Sequence, residues 1–195
     1  MHTRSDILTR AEELFSERGY HGASMRELAR MLDLREASLY AHITSKEEML
    51  WETVSRAADQ FLAQAEAIPQ TLSLEEQLAL LVRGHLRVIA YERHCATVFF
   101  HEWQFLGPAL RRKAKARRDA YESYFYVLIE RGARQGLFQV SNPRLATLFV
   151  LSALNWTYQW LHVEEVVSVE RLTDQYVGLI LSALKGGLSD IKIEK

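Results

Sequence analysis

Residues 24–46 read Ser-Met-Arg-Glu-Leu-Ala-Arg-Met-Leu-Asp-Leu-Arg-Glu-Ala-Ser-Leu-Tyr-Ala-His-Ile-Thr-Ser-Lys. Ser24 and Glu27 form a Ser-x-x-Glu capping pattern, which marks a helix start. Leu28, Ala29 and Leu32 follow at helical spacing, an apolar face less than three turns long. Asp33 stands where the chain must leave that helix, and Asp accepts a left-handed backbone better than most residues, though less well than Gly. A second short helix fits Arg35 to His42, with Leu34 and Leu39 turned back on the first. Its other face carries Arg35, Glu36, Ser38, Tyr40 and His42, all able to hydrogen-bond. Two short helices, the second with a polar outer face, predict a helix-turn-helix, whose natural target is a DNA major groove.

Within that segment the groups divide by chemistry. Ser24, Arg26, Tyr40, His42 and Lys46 suit phosphates, because hydroxyl, guanidinium and ammonium groups fix register without reading sequence. Arg35, Glu36 and Ser38 suit base edges, since Arg bonds guanine bidentately and Glu accepts from cytosine. The plainer alternative for Glu36 is a favourable charge at a helix start. Lys46 sits in the first turn of the following helix, where a cation opposes the helix dipole unless an anion such as phosphate is near.

Outward from this core, residues 4–18 predict a first helix with Ile7, Leu8, Ala11, Leu14 and Phe15 as its apolar stripe, Ser5 as its cap and Gly19 as its stop. Tyr20 is expected to pack back on the bundle. Ser45 and Glu48 repeat the capping pattern and open a helix to about Ala67, before Pro69. Ser73 and Glu76 open another, to about Arg93. Residues 96–106 form a short aromatic helix ended by Gly107-Pro108. A long helix follows over about 109–135, basic first and apolar later, and Gly136 stops it. Asn142-Pro143 starts a helix expected to reach His162, and Ser168 or Glu170 starts the last, ended by Gly186-Gly187. The expectation is an all-α chain of about nine helices: a helix-turn-helix DNA-binding domain over 1–46, and a ligand-binding and dimerisation domain over 47–195.

Composition agrees and excludes other classes. Among 195 residues there are three prolines and nine glycines, too few for a loop-rich β protein. Cys95 is the only cysteine, so neither a disulfide nor a cysteine metal cluster is expected. No apolar run approaches membrane-spanning length and the N-terminus is polar, so a cytoplasmic protein without membrane attachment is expected. Residues 1–50 hold seven Lys/Arg against nine Asp/Glu, an acidic balance for a nucleic-acid binder. The chain therefore needs a sided distribution, with Glu12, Glu13, Glu17, Glu47 and Glu48 turned from DNA while Arg26, Arg35 and Lys46 face it. An enzyme is not expected. His101-Glu102 opens like a zinc-protease His-Glu-x-x-His, but position 105 is Phe. His94 and Cys95 are adjacent, so on a helix they do not face each other. The remaining rival is a helical protein-interaction module without DNA binding.

The stretch from Ile7 to Leu50 resembles the TetR family of transcriptional regulators. The likeness lies in Ala11, Leu14-Phe15, Gly19-Tyr20, Ala23-Ser24-Met25, Leu28-Ala29, Leu39-Tyr40, His42 and Ser45-Lys46-Glu47. The chain departs at Asp33, where the family usually has Gly, at Ala37 for a small Gly, at Arg35 for Ser, and at Ile43 for an aromatic. The resemblance implies a homodimer on a double-stranded, palindromic operator. It also implies repression released by a small-molecule effector, and no cofactor.

The second half is rich in aromatics. Phe99, Trp103, Tyr121, Phe125, Phe149, Trp156 and Trp160 suggest an apolar cavity with few polar groups, of which Asn155 is the sharpest candidate. Core packing is the plain alternative for each aromatic. Arg111, Arg112, Lys115 and Arg118 lie largely on one helical face beside the aromatic segment, either a solvated face or a rim for an anionic head group. Residues 155–160 and the final helix resemble TetR members that sense acyl-CoA thioesters. That likeness implies an acyl-CoA or aryl-CoA effector whose phosphates meet these arginines. The alternative is a regulator of efflux or stress genes that senses a non-CoA aromatic or lipophilic ligand. The stripe Leu172, Tyr176, Leu179, Ile180 and Ala183, with the helix before it, is expected to pair with a twofold copy.

Overall fold

The computed structural model describes residues 3–161 and 169–186. Among them the chain forms nine α-helices: α1 (Arg4–Gly22), α2 (Met25–Met31), α3 (Glu36–Tyr40), α4 (Lys46–Glu66), α5 (Leu74–Tyr91), α6 (Arg93–His101), α7 (Pro108–Arg134), α8 (Pro143–Asn155) and α9 (Val169–Gly186). Two 3-10 turns, Trp103–Phe105 and Trp156–Gln159, follow α6 and α8. The all-α expectation holds.

The helix starts follow their caps. Thr3, not Ser5, caps α1, in a reciprocal box with Asp6: Asp6 N–H donates to Thr3 Oγ1 at 3.2 Å and Thr3 N–H to the Asp6 carboxylate at 2.8 Å. Ser24 and Ser45 accept the N–H of Glu27 and Glu48 at 3.1 and 3.0 Å. Ser73 and Glu76 complete the box in both directions. Asn142 caps α8, with Pro143 in the first turn where no N–H is needed.

The ends differ more. Gly19 breaks α1 with φ of +70°, the role expected of it, and Gly136 beyond α7 has the same φ. The second helix of the reading segment is shorter than expected, Glu36–Tyr40, because Arg35 stays extended as its N-cap. The aromatic segment is α6 plus a 3-10 turn rather than one helix over 96–106. α8 stops at Asn155, where the chain tightens into the 3-10 turn. His162, Ser168 and Gly187, which bounded the expected last two helices, lie outside the described residues.

The chain divides into two compact units. The first comprises Met1–Gln60 and Glu92–Arg118, the second Phe61–Tyr91 and Asp119 onward; α4 and α7 each begin in the first and end in the second. In the first unit, Ile7, Ala11 and Phe15 of α1, Leu28 of α2 and Leu39 of α3 are buried, with Leu50 and Val54 of α4 and Ala96 and Val98 of α6. In the second, Leu78, Leu81, Leu86 and Ile89 of α5 are buried, with Phe125 and Ile129 of α7, Leu154 of α8 and Ile180 of α9. Arg83 of α5 bonds Asp174 of α9 at 2.6 Å, and Lys185 bonds Glu75 at 2.8 Å.

Two backbone and side-chain features carry a cost. Asp33 is the one non-glycine residue with positive φ among the described residues, at +53°. It sits where Leu34 N–H reaches back to Ala29 at 2.8 Å and closes the turn. Glu12 of α1 is 4% exposed. Its Oε1 lies 3.3 Å from the Arg56 guanidinium, yet desolvation outweighs that charge and pushes its carboxyl up to about 7, with Glu92 and Glu13 adding to the rise.

Asp33→Gly is expected to raise stability by up to about 1 kcal/mol, and Asp33→Val to lower it by about 1–2 kcal/mol, because a β-branched residue is poorly tolerated at positive φ. Chemical denaturation midpoints check both. For Glu12 the folded pKa lies above the ordinary 4.5, so its neutral form favours the fold. That contribution is complete below about pH 4.5 and is lost as pH rises through 7, on the order of 2–3 kcal/mol. Glu12→Gln should therefore melt well above the parent at pH 8 and close to it at pH 4.5; equal gaps at both pH values would refute the assignment.

Candidate nucleic-acid interface and effector region

The reading head is built in the first unit by α1, α2 and α3. α3 is fixed from beneath: Leu39 is fully buried, Ile43 just after it is nearly so, and Leu34 before it is half-buried. With that side anchored, helical geometry turns Arg35, Glu36, Ala37, Ser38 and Tyr40 outward, and all five are exposed. Ser24, Arg26 and His42 are exposed as well. Seven of the eight side chains expected at DNA thus share the open surface of one head. Ser24 also spends its Oγ as the α2 cap.

Lys46 is placed differently. Its ammonium donates to the Ala23 carbonyl at 2.5 Å and lies 4.4 Å from the centre of the Tyr20 ring. Burial there lowers its pKa. Glu47 and Glu48 both lie in the first turn of α4, and the Glu48 carboxylate accepts Thr44 N–H at 2.7 Å and the Thr44 hydroxyl at 2.5 Å; these bonds hold its pKa below the usual carboxylate range. The N-terminus of α4 is therefore already partly neutralised from within.

The side chains expected at an effector fall into three groups. In the first unit, Arg118 of α7 donates to the Phe99 carbonyl at 2.7 Å, with its guanidinium 4.9 Å from the Phe99 ring and 5.1 Å from that of Trp103. Arg111, Arg112 and Lys115 of the same helix are exposed. In the second unit, Tyr121 and Phe125 are buried beside Phe61 and His85, ring centres 5.0–6.2 Å apart. His85 shares a 3.1 Å hydrogen bond with the Tyr121 hydroxyl. Burial pushes His85 down to about 3 and the Tyr121 hydroxyl up, so this polar pair is neutral inside an aromatic core. Finally, Phe149, Trp156 and Trp160 are exposed, and Asn155 is half-buried at the last turn of α8.

A cavity of about 210 Å³ opens in the second unit. Ala65 at the end of α4 and Ile68 just beyond it stand at its edge, Gln77 and Leu81 come from α5, and Tyr124, Val127, Leu128 and Arg131 from α7. None of the twelve side chains above lines it. Tyr124 is one of the many aromatics of the second half, but Arg131 and Gln77 carried no signal. Positions 124, 127, 128 and 131 share one helical face, which spacing alone could have shown; the end of α4 and the first half of α5 that complete the wall are set by tertiary packing.

Two acidic side chains take roles that nothing in the sequence signals. Glu102 accepts the Tyr20 N–H at 2.6 Å across 82 positions, and Glu47 accepts the Gly107 N–H at 2.7 Å across 60. Glu102 stands out in the sequence only as half of a broken zinc pattern. Among the described residues no group of His, Cys, Asp or Glu could hold a metal, and no helix is long and apolar enough to cross a membrane.

Known proteins share this fold. Residues 7–53 match the tetR family of bacterial regulatory proteins, and residues 71–184 match the tetracyclin repressor-like C-terminal domain. A fatty acid metabolism regulator protein of Bacillus subtilis is 22% identical over 181 residues, 91% of this chain and 93% of that protein. The crystal structure of PfmR, a TetR family transcriptional regulator from Thermus thermophilus, superposes with a TM-score of 0.82 at 32% identity, over 93% of this chain and 98% of the other. AibR, solved in complex with isovaleryl coenzyme A and operator DNA, gives 0.83 at 25% identity over 90% and 96%. With both halves matched and an exposed polar helix on a buried leucine at its head, the chain belongs to the TetR family, as a ligand-responsive transcriptional regulator.

Proposed function

We propose that the protein is a homodimeric repressor that binds a palindromic operator through residues 1–46 and is released by a small apolar or acyl-CoA-type effector held by residues 47–195. The observation that carries this is the polar face of α3, exposed as a set above buried Leu39. Arg35, Glu36 and Ser38 meet base edges, while Ser24, Arg26, Tyr40 and His42 meet phosphates. Lys46 keeps one donor on Ala23 and still has others for a phosphate. Such a protein works in the cytoplasm, where bacterial operators are.

The dimer reading rests on apolar surface. Leu145, Phe149, Trp156 and Leu179 are each 60–67% exposed, on α8, the turn after it and α9. Large apolar side chains exposed on two helices call for a partner, and a twofold copy of the chain would cover them. Two heads then meet successive turns of one DNA face.

For the effector, AibR binds isovaleryl coenzyme A and the Bacillus relative is named for fatty acid metabolism. Exposed Arg111, Arg112 and Lys115 suit CoA phosphates. Phe99, Trp103 and Arg118 of the first unit supply apolar surface and orientation, whereas Tyr121 and Phe125 are packed into the core of the second. One observation favours a smaller, non-CoA lipophilic ligand: the cavity of about 210 Å³ lies below the usual range of roughly 300–1,000 Å³ for drug-sized ligands.

Mobility-shift titration with genomic fragments is expected to give a discrete complex that Arg35→Ala weakens by about 1–3 kcal/mol, or 5- to 150-fold. Acyl-CoAs added to that complex should release the DNA, and the operator should weaken effector binding by the same factor. No complex at low salt would sink the DNA reading. Release by lipophilic acids or aromatics but by no CoA thioester would select the second effector class.

A further inference from the structure

Three segments distant in sequence meet at one place in the first unit: the end of α1, the start of α4 and the connection between α6 and α7. At the break made by Gly19, the Tyr20 N–H donates to the Glu102 carboxylate at 2.6 Å. The Gly107 N–H donates to the Glu47 carboxylate at 2.7 Å. A Cβ at position 107 would lie 2.8 Å from Glu47 Oε1, so a glycine is what lets the carboxylate come this close. The Tyr20 ring stacks on Phe105 with centres 6.1 Å apart and planes 11° from parallel, and Phe105 meets His21 edge-on at 4.5 Å. Lys46 completes the knot by holding Ala23 and covering Tyr20.

Both bonds join an ionised acceptor to a backbone donor, the class roughly twice as strong as a neutral hydrogen bond. They also join different bodies of chain. Glu47 and Tyr20 flank the reading segment 24–46 on either side, whereas Glu102 and Gly107 bracket the turn that leads into α7. The Gly107 carbonyl accepts the first helical bond of α7, from Arg111 at 2.9 Å. A displacement of residues 102–107 is therefore a displacement of the start of α7, and it pulls on both ends of the head.

We propose that Glu47 and Glu102 are positioning residues that clasp the α6–α7 connection to the two ends of the helix-turn-helix, so that DNA on α3 and the conformation of residues 102–107 form one coupled equilibrium. Neither carboxylate is among the side chains assigned to DNA above. The inference rests on the DNA-binding reading above and specifies where the head reports its state. By reciprocity, whatever moves residues 102–107 changes operator affinity, and operator binding restrains residues 102–107.

The test is hydrogen exchange of the full-length protein with and without a duplex selected by that protein from random DNA. In the parent, DNA is expected to slow exchange in residues 24–46 and also, by about fivefold or more, in residues 102–107. In the Glu47→Ala, Glu102→Ala double variant, protection of 24–46 remains and the response of 102–107 disappears. Gly107→Ala, which pushes the Glu47 carboxylate aside while leaving it in place, is a milder second route to the same loss. Glu47→Gln with Glu102→Gln keeps both acceptor oxygens and restores the response. No change at 102–107 in the parent, or a change that survives both disruptive variants, overturns the proposal. Absence of protection at 24–46 in the parent sinks the DNA reading itself, and the clasp as a coupling device with it.

Discussion

A five-residue helix cannot hold its shape in water, since nucleation costs more than one turn of hydrogen bonds returns. α3 exists because Leu39 is buried under it, with Ile43 beyond and Leu34 before. Everything the head presents to DNA follows from that anchor. Once the leucine side faces inward, the opposite side has no choice but to carry Arg35, Glu36 and Ser38 into solvent. The bond from Leu34 to Ala29 and the positive φ of Asp33 set the angle between the two helices, so a locally unfavourable residue is kept by the packing on both sides of it.

The acidic balance of the head is reconciled by where the acids go. Glu48 and Glu52 hold Arg4 at 2.8 and 2.6 Å, Glu13 holds Arg10 at 2.6 Å, and Glu12 is buried against Arg56. Exposed pairs of this sort add little stability. Their effect is to pair part of the negative charge with cations within the first unit. Among the described residues no carboxylate stands within ion-pairing distance of Arg26 or Arg35. Affinity for DNA then comes from a few uncommitted cations rather than from a basic surplus, and only a modest salt dependence follows.

The second unit handles polarity in the opposite way. His85 and Tyr121 are sealed among Phe61 and Phe125, where His85 Nδ1 and the Tyr121 hydroxyl share a hydrogen bond while both side chains stay neutral. A hydrogen-bonded pair in an aromatic core tolerates burial because neither member carries charge. The aromatics are thus divided: Phe61, Tyr121 and Phe125 fill the interior, and Phe149, Trp156 and Trp160 stand outside. The cavity forms elsewhere, between the end of α4, the first half of α5 and the second half of α7.

What was legible in the amino-acid order was local. Ser24, Ser45, Ser73 and Asn142 begin helices, Gly19 and Gly136 end them, Asp33 accepts the turn, and the spacing of Leu34 and Leu39 selects the outward face of α3. Each of these depends on neighbours within about one helical turn, where periodicity and capping chemistry act. Tertiary structure alone decided the rest. It turned Lys46 inward to Ala23, separated the aromatics into core and surface, brought Arg131 to a cavity rim, and joined Glu102 to Tyr20 across 82 positions. The reason is geometric: a side chain's periodicity says which way it leaves its own helix, but which foreign backbone or ring it meets depends on how helices far apart in the chain pack together.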